Sequence, residues 1–390
     1  MAYGQGMRSW LFLFVWILSM TGGLSRVTAE PPIVVAKPLR VDLLADSSQT
    51  PATPYLAFPT VLDVGDEVLV AFKRGRSHAG DAGATIHSLR LDKLSGRQLA
   101  EMTLAAVPTE IMQMGEWVRF PAGDIANYVD AQKSGSLRSG LCEVRSTDGG
   151  KSFGAVRRVG PVDGVEYGYA FDAVSSGGTT WMLAMTFANL PGGKLVYKYA
   201  SQPGSVDVIR SDDDGQSWRF ITSVTRLLGD VPINESSIVR SGDGPSVRSG
   251  DGFIIASRGY DGRYWLLRVD ADFRRVAQVD LTKFYPRIKS VDRARLFSRD
   301  GKYYLLGRNR LGRRESELAL FRFDPQTLEV TRHVVLDHAS DGSPGDSFYA
   351  QPYWLSRESQ TLFHVITYKQ TTGPGPDIIR LEFAWDQLNL

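Results

Sequence analysis

The chain has 390 residues, of which 43% are hydrophobic, 11% aromatic and 23% charged. Those proportions exclude a disordered, collagenous or coiled-coil protein and supply apolar material for a large core. Lys and Arg number 45 against 43 Asp and Glu. So small an excess argues against a nucleic-acid footprint, which needs clustered basic charge.

The N-terminus reads as a secretory signal over residues 1–29: Arg8, then the uncharged run WLFLFVWILSM from Trp10 to Met20, then a small-residue cleavage site at Val27-Thr28-Ala29. The run is shorter than the about 20 apolar residues a membrane span requires. The expectation is a secreted or periplasmic protein, cleaved near Ala29, with no stable membrane insertion afterwards. Residues 30–390 read as one domain. The 39 glycines and 19 prolines predict many turns and few long helices.

The apolar stretch near Ile33 to Leu44 predicts a first strand. Further strands follow in VGDEVLVAFKRG, TTWMLAMTFA, GFIIASRG, GKYYLLGRN and QTLFHVITYK, short runs rich in β-branched and aromatic residues. None carries a sustained helical period. The lone Cys142, within the strand-like Gly140-Leu141-Cys142-Glu143-Val144-Arg145, reads as a small buried hydrophobe, and no disulfide or cysteine zinc site can be built.

The hairpins repeat. Ser146-Thr147-Asp148-Gly149-Gly150-Lys151-Ser152-Phe153 and Ser211-Asp212-Asp213-Asp214-Gly215-Gln216-Ser217-Trp218 are near copies, each following a strand-like run. Asp and Gly supply turn conformations, hydroxyls tie the turn to its own backbone, and the aromatic plugs the hairpin base. Weaker hairpins centre on Asp92, Asp270, Asp324 and Asp386, and the six Asp positions are spaced by 54 to 65 residues. Six such units predict an all-β fold: a six-bladed β-propeller of four-stranded antiparallel blades, with the N-terminal strand completing the last blade. The segment from Arg240 to Gly252 repeats RSGDG and reads as a long surface loop, because the following FIIAS is a strand and a phosphate loop needs a helix there.

The two octapeptides resemble the Asp-box of sialidases and related propellers, and five further segments extend the resemblance over nearly the whole mature chain. Arg76 and Asp81, in Arg76-Ser77-His78-Ala79-Gly80-Asp81, match a strand-ending arginine and an acid/base aspartate five positions on. Asn234-Glu235-Ser236 resembles the segment whose glutamate takes the proton of a tyrosine nucleophile. Arg258, ending the next strand, matches a carboxylate-binding arginine. Arg314, with Arg313 second and Arg308 and Arg310 as alternatives, matches another. In Tyr349-Ala350-Gln351-Pro352-Tyr353-Trp354-Leu355 the leucine falls six positions after Tyr349, as in the family's nucleophile segment, with Tyr353 the competitor. His78 is an alternative acid/base or a substrate contact.

The resemblance implies an exo-glycosidase acting on terminal acidic sugars of a glycan or glycoconjugate. Asp81 would be its acid/base, Tyr349 its nucleophile and Glu235 the partner of that nucleophile. Arg258 and Arg314 or Arg313 would hold the anionic group and Arg76 would contact a ring substituent. A phenol with pKa near ~10 needs such a base beside it. The chemistry requires no metal and no cofactor. One departure stands out: sialidases begin the first blade with Tyr-Arg-Ile-Pro, whereas this chain has Tyr55-Leu56-Ala57-Phe58-Pro59, with alanine in place of the first carboxylate-binding arginine. Losing one of three charged donors weakens binding by about 1.5–3 kcal/mol, unless Lys73, Arg74 or Arg119 substitutes. Two other functions stay open: hydrolysis or elimination at a different sugar, and glycan binding without turnover.

Overall fold

The computed structural model describes residues 31–390 apart from 135–136, 187, 191–193, 197, 200–201, 243–250, 313–314, 340–345, 358–359 and 372. The predicted signal segment, Arg313, Arg314 and most of the RSGDG loop therefore lie outside the described residues.

The fold is a six-bladed β-propeller. The first blade runs Tyr55–Asp63, Glu67–Gly75, Thr85–Asp92 and Gln98–Ala105 from axis to rim, all antiparallel. The next four begin with the inner strands Ile111–Arg119, Tyr167–Ser176, Ile233–Ser241 and Val291–Arg299 and repeat the same order. The sixth has three strands from the C-terminal end, Gln351–Arg357, Gln360–Lys369 and Asp377–Ala384, and its outer strand is Arg40–Ala45 from the N-terminal end. The expected N-terminal strand is thus two strands. Ile33–Val35 instead pairs in parallel with the outer strand of the fifth blade, Val330–Ala339, and Pro38 separates the pieces.

Six buried apolar clusters form the core, one at each interface between neighbouring blades. A blade is therefore covered on both faces, which is why its middle strands read as continuous apolar runs rather than alternating ones. The repeated aspartates cap the hairpins between third and fourth strands. Asp148 accepts from the amides of Lys151 and Ser152 at 2.9 and 3.0 Å, and Asp213 from that of Ser217 at 2.9 Å. Asp92, Asp270 and Asp324 hold the corresponding turns through Ser95, Arg274 and Thr327. Asp386 caps no hairpin, because the strand that would follow it comes from the other end of the chain; it sits in the short 3-10 turn Trp385–Leu388.

The inner strands are bent at one level. Pairing to the second strand slips between Ala57 and Thr60, Met112 and Met114, Ile233 and Ser236, and Asp292 and Arg295, with two further slips between Tyr167 and Asp172. Bulges of this kind re-aim side chains. Phe58, Arg293 and Phe348 lie there with φ of 59°, 44° and 66°, conformations that cost non-glycine residues on the order of 1–3 kcal/mol each. Buried Glu116, farther along the second blade's inner strand, binds Arg293 (2.8 Å) and Arg295.

Candidate active site

At the bent level the axis opens into a cavity of about 300 Å³ to which residues of all six blades, or the segments leading into them, contribute. The wall from the fourth and fifth blades and the entry to the sixth is ionic. Glu235 lies within the fourth blade's bulge, and Tyr349 donates to its Oε1 at 2.7 Å. The other oxygen, Oε2, accepts from Arg258 Nη1 and the Arg293 amide, both at 2.9 Å. Arg258 also reaches Asp292 Oδ1 at 3.2 Å. Asp292 is fully buried and takes Arg308 at 2.8 Å and Arg310 as well. The Arg308 guanidinium lies 4.6 Å over the Tyr349 ring.

Each group's protonation follows from these contacts. Burial alone would raise Glu235, but Arg258, the Tyr349 hydroxyl and Arg308 outweigh burial and the opposing Asp292, and hold it below the usual carboxylate range. Burial and the Glu235 charge push the Tyr349 phenol well above its ordinary value. The pair is therefore a neutral phenol donating to a carboxylate, the arrangement a phenol needs if it is to attack as its proton leaves.

On the other side the first blade contributes Phe58 and His78. The His78 ring stands edge-on to Phe58, with centroids 5.1 Å apart, and Phe58 lies 5.5 Å from Tyr349. His78 Nδ1 is 2.6 Å from Asp346 Oδ2, and Tyr55 donates to the same oxygen. Burial pushes the Asp346 carboxyl up to about 6, and partial desolvation with the positive charges of Lys73 and Arg308 lowers the His78 imidazole. The second and third blades supply Gln113, Gln132, Arg138 and Tyr169.

The structure brings Glu235, Arg258, His78 and Tyr349 to one cavity and places three other expected residues elsewhere. Asp81 does not line it. Its side chain is 3% exposed, with Oδ1 on Lys73 Nζ at 2.9 Å and Oδ2 on the amides of Arg76 and Ser77 at 2.8 and 3.3 Å. A Cβ on Gly75 would collide with that carboxylate, so the loop folds this tightly only over glycine. Arg76 contributes that amide while its side chain faces outward. Tyr353 stacks on His364 and accepts from Arg380, away from the cavity. Of the substitutes considered for the missing arginine, Lys73 is sealed behind the wall, Arg74 pairs with Glu101 and Arg119 is exposed. Arg308 and Arg310 stand in the cavity wall, and Arg313 and Arg314 lie outside the described residues. Sequence reasoning missed Asp292, Asp346 and the second-blade residues. Asp346 stands three positions before Tyr349, just outside the motif; the others carry no motif.

Among the described residues, no group of three or more His, Cys, Asp or Glu side chains is arranged to hold a metal ion, and no helix is long and apolar enough to cross a membrane.

The architecture places the chain among six-bladed propellers. The likeness extends to a Dyadobacter fermentans protein of unknown function, at TM-score 0.65 and 16% identity over 89% of this chain and 98% of that one. A Hadza microbial sialidase superposes at TM-score 0.60 and 11% identity over 87% and 68% of the two chains. A leech intramolecular trans-sialidase superposes at TM-score 0.57 and 12% identity over 91% and 71%. No family model and no curated protein matches the sequence. At these identities the likeness defines the fold, and function has to be argued from the cavity.

Proposed function

We propose that the protein is a secreted exo-glycosidase that hydrolyses terminal, negatively charged sugars from glycans, with Tyr349 as nucleophile and Glu235 as its base. The observation that carries this is the 2.7 Å bond from the Tyr349 hydroxyl to Glu235 inside an axial cavity rimmed by guanidinium groups. Three carboxylates, Glu235, Asp292 and Asp346, face three guanidinium groups, Arg258, Arg308 and Arg310. Arg258 and Arg310 keep 28% and 45% of their side-chain surface exposed, open to receive a substrate carboxylate. Tyrosine nucleophiles are an established exception to two-carboxylate glycosidase chemistry. A neutral phenol also approaches a carboxylate-bearing sugar without the repulsion a third carboxylate would meet. The fold supports the reading, since sialidases share it.

The test is turnover of a fluorogenic α-sialoside and a panel of other glycosides by the mature chain, beside Tyr349→Phe and Glu235→Gln. Turnover of an acidic glycoside lost in both variants supports the reading; saturable binding without turnover replaces it with a glycan-binding propeller. A second reading, elimination from an acidic sugar, draws on the neutral imidazole of His78 beside the cation cluster. An unsaturated product absorbing in the ultraviolet would establish it.

A further inference from the structure

The geometry points to His78, held from behind by Asp346, as the group that moves the proton at the leaving-group oxygen; this rests on the glycosidase reading above. Asp81 cannot serve, because both its oxygens are bound inside the loop, to Lys73 and to two backbone amides. His78 stands on the cavity wall with 57% of its side chain exposed. Its ring and that of Tyr349 both pack against Phe58, at 5.1 and 5.5 Å between centroids.

The ring is oriented. Nδ1 faces Asp346 Oδ2 at 2.6 Å and the Tyr55 hydroxyl at 3.1 Å. Nε2 has no hydrogen-bond partner among the described residues and is the ring's free nitrogen. Asp346 is fixed in turn through Oδ1, by Arg308 Nη1 at 3.2 Å and the Tyr368 hydroxyl at 2.6 Å. The backbone of His78 is pinned as well, its carbonyl accepting from Lys73 Nζ at 3.0 Å and from Gln113 Nε2 at 2.6 Å. Lys73 and Asp81 thus act as the strut under the loop that carries the imidazole. A carboxylate behind one ring nitrogen sets the tautomer and leaves the other to exchange a proton with substrate.

The charged groups around the imidazole are Lys73, Arg308, Arg310 and Glu235, and those around Asp346 are Arg308 and the hydroxyls of Tyr55 and Tyr368. With the Asp346 carboxyl pushed up to about 6, the pair takes up one proton near that pH, which suits a group that must donate in one step and accept in the next. In the first step the Tyr349 oxygen bonds to the anomeric carbon and its proton passes to Glu235. The glycosidic C–O bond breaks with its electron pair going to oxygen, and that oxygen takes the proton from His78 Nε2. In the second step a water gives its proton to Nε2 and its oxygen displaces Tyr349, which recovers its proton from Glu235. The sum is glycoside plus water giving sugar plus alcohol.

The experiment uses two glycosides of one acidic sugar, an activated nitrophenyl glycoside and an alkyl glycoside, with wild type, His78→Gln, Asp346→Asn and Asp81→Asn. His78→Gln is expected to lower kcat/KM on the alkyl glycoside by about 10²–10⁴-fold and on the nitrophenyl glycoside by less than about tenfold, because a good leaving group needs no proton. Asp346→Asn, a positioning change, is expected to move the alkaline limb of the alkyl-glycoside profile from near pH 6 toward acid. Equal losses on both substrates in His78→Gln, an unmoved limb in Asp346→Asn, or a leaving-group-selective loss in Asp81→Asn larger than that in His78→Gln would overturn the assignment while leaving the tyrosine reading intact. Wild type that turns over neither glycoside, or that forms an unsaturated product, would overturn the reading beneath it.

Discussion

Asp81→Asn separates a structural from a catalytic role for the carboxylate that the sequence resemblance favours. In the structure Asp81 and Lys73 are 3% and 0% exposed and 2.9 Å apart. The ammonium also reaches the carbonyls of Ser77 and His78, both at 3.0 Å, and Gln113 Oε1 at 2.8 Å. Burial already pulls the Lys73 ammonium below its ordinary pKa, with Asp81 the largest influence opposing it. Removing one charge while the other stays buried costs about 3–5 kcal/mol, because the survivor has lost both water and partner. Asp81→Asn and Lys73→Met should each lose about that much. The double variant Lys73→Met/Asp81→Leu should lose less than the sum of the two singles, since no unpaired charge remains.

Urea unfolding at pH 7 followed by tryptophan fluorescence measures this, with the slope on denaturant unchanged between variants so that midpoint shifts report stability. Turnover is read on the same preparations. If Asp81→Asn costs less than about 1 kcal/mol, below the buried-pair range, and still abolishes turnover of an alkyl glycoside, the strut is the wrong account and Asp81 reaches the substrate.

Tyr349→Phe and Glu235→Gln should each lower kcat by at least about 10²-fold, and the two together little more than either alone, because they act as one unit; steady-state kinetics on the single and double variants checks this. Arg310→Gln should raise KM for an acidic glycoside by about 10–100-fold, the loss of one charge-assisted contact worth about 1.5–3 kcal/mol, and leave KM for its methyl ester nearly unchanged. Asp346 carries a carboxyl pushed up to about 6 from an ordinary 3.8. The folded chain therefore binds this proton more tightly than the unfolded one, and the contribution present at pH 4 is lost as pH rises through 6. Asp346→Asn should accordingly become more stable relative to wild type by up to about 3 kcal/mol between pH 4 and 7, read from paired urea titrations. A difference that stays flat with pH would refute the raised carboxyl.

The propeller was legible because five of the six blades place an aspartate at the same turn. Asp92, Asp148, Asp213, Asp270 and Asp324 close equivalent hairpins with side-chain-to-amide bonds, and such bonds depend only on neighbours in sequence. Asp386 keeps the spacing but not the job, since ring closure gives its partner strand to Arg40–Ala45. Glu235, Arg258 and Tyr349 were legible as short motifs at the ends of apolar strands. Asp81 was legible as a residue but not as a direction. Its carboxylate turns inward because Lys73, eight positions earlier, is buried. Lys73 stands opposite Ala57 in the ladder, on the same face, and the alanine methyl leaves room for the lysine stem. The alanine at position 57, where the sequence resemblance leads one to expect arginine, and the inward turn of Asp81 are thus one packing change. Only the pairing of two strands reveals it.

The bent inner strands explain why the site forms at this level of the axis. A regular strand sends alternate side chains into the two neighbouring blade interfaces, where only apolar groups are tolerated. A break in the alternation turns inner-strand residues toward the axis instead. The breaks at Phe58, Arg293 and Glu235 do this. They deliver a carboxylate, backbone amides and an aromatic ring to a common hollow without placing an unpaired charge between blades. The strain they carry is offset by the ionic contacts they permit, as when the Arg293 amide, turned by its φ of 44°, donates to Glu235 at 2.9 Å. That amide, with Arg258, keeps Glu235 ionised beside a phenol that burial keeps neutral. The difference in protonation across the 2.7 Å bond between them is what the bend in the fourth and fifth blades maintains.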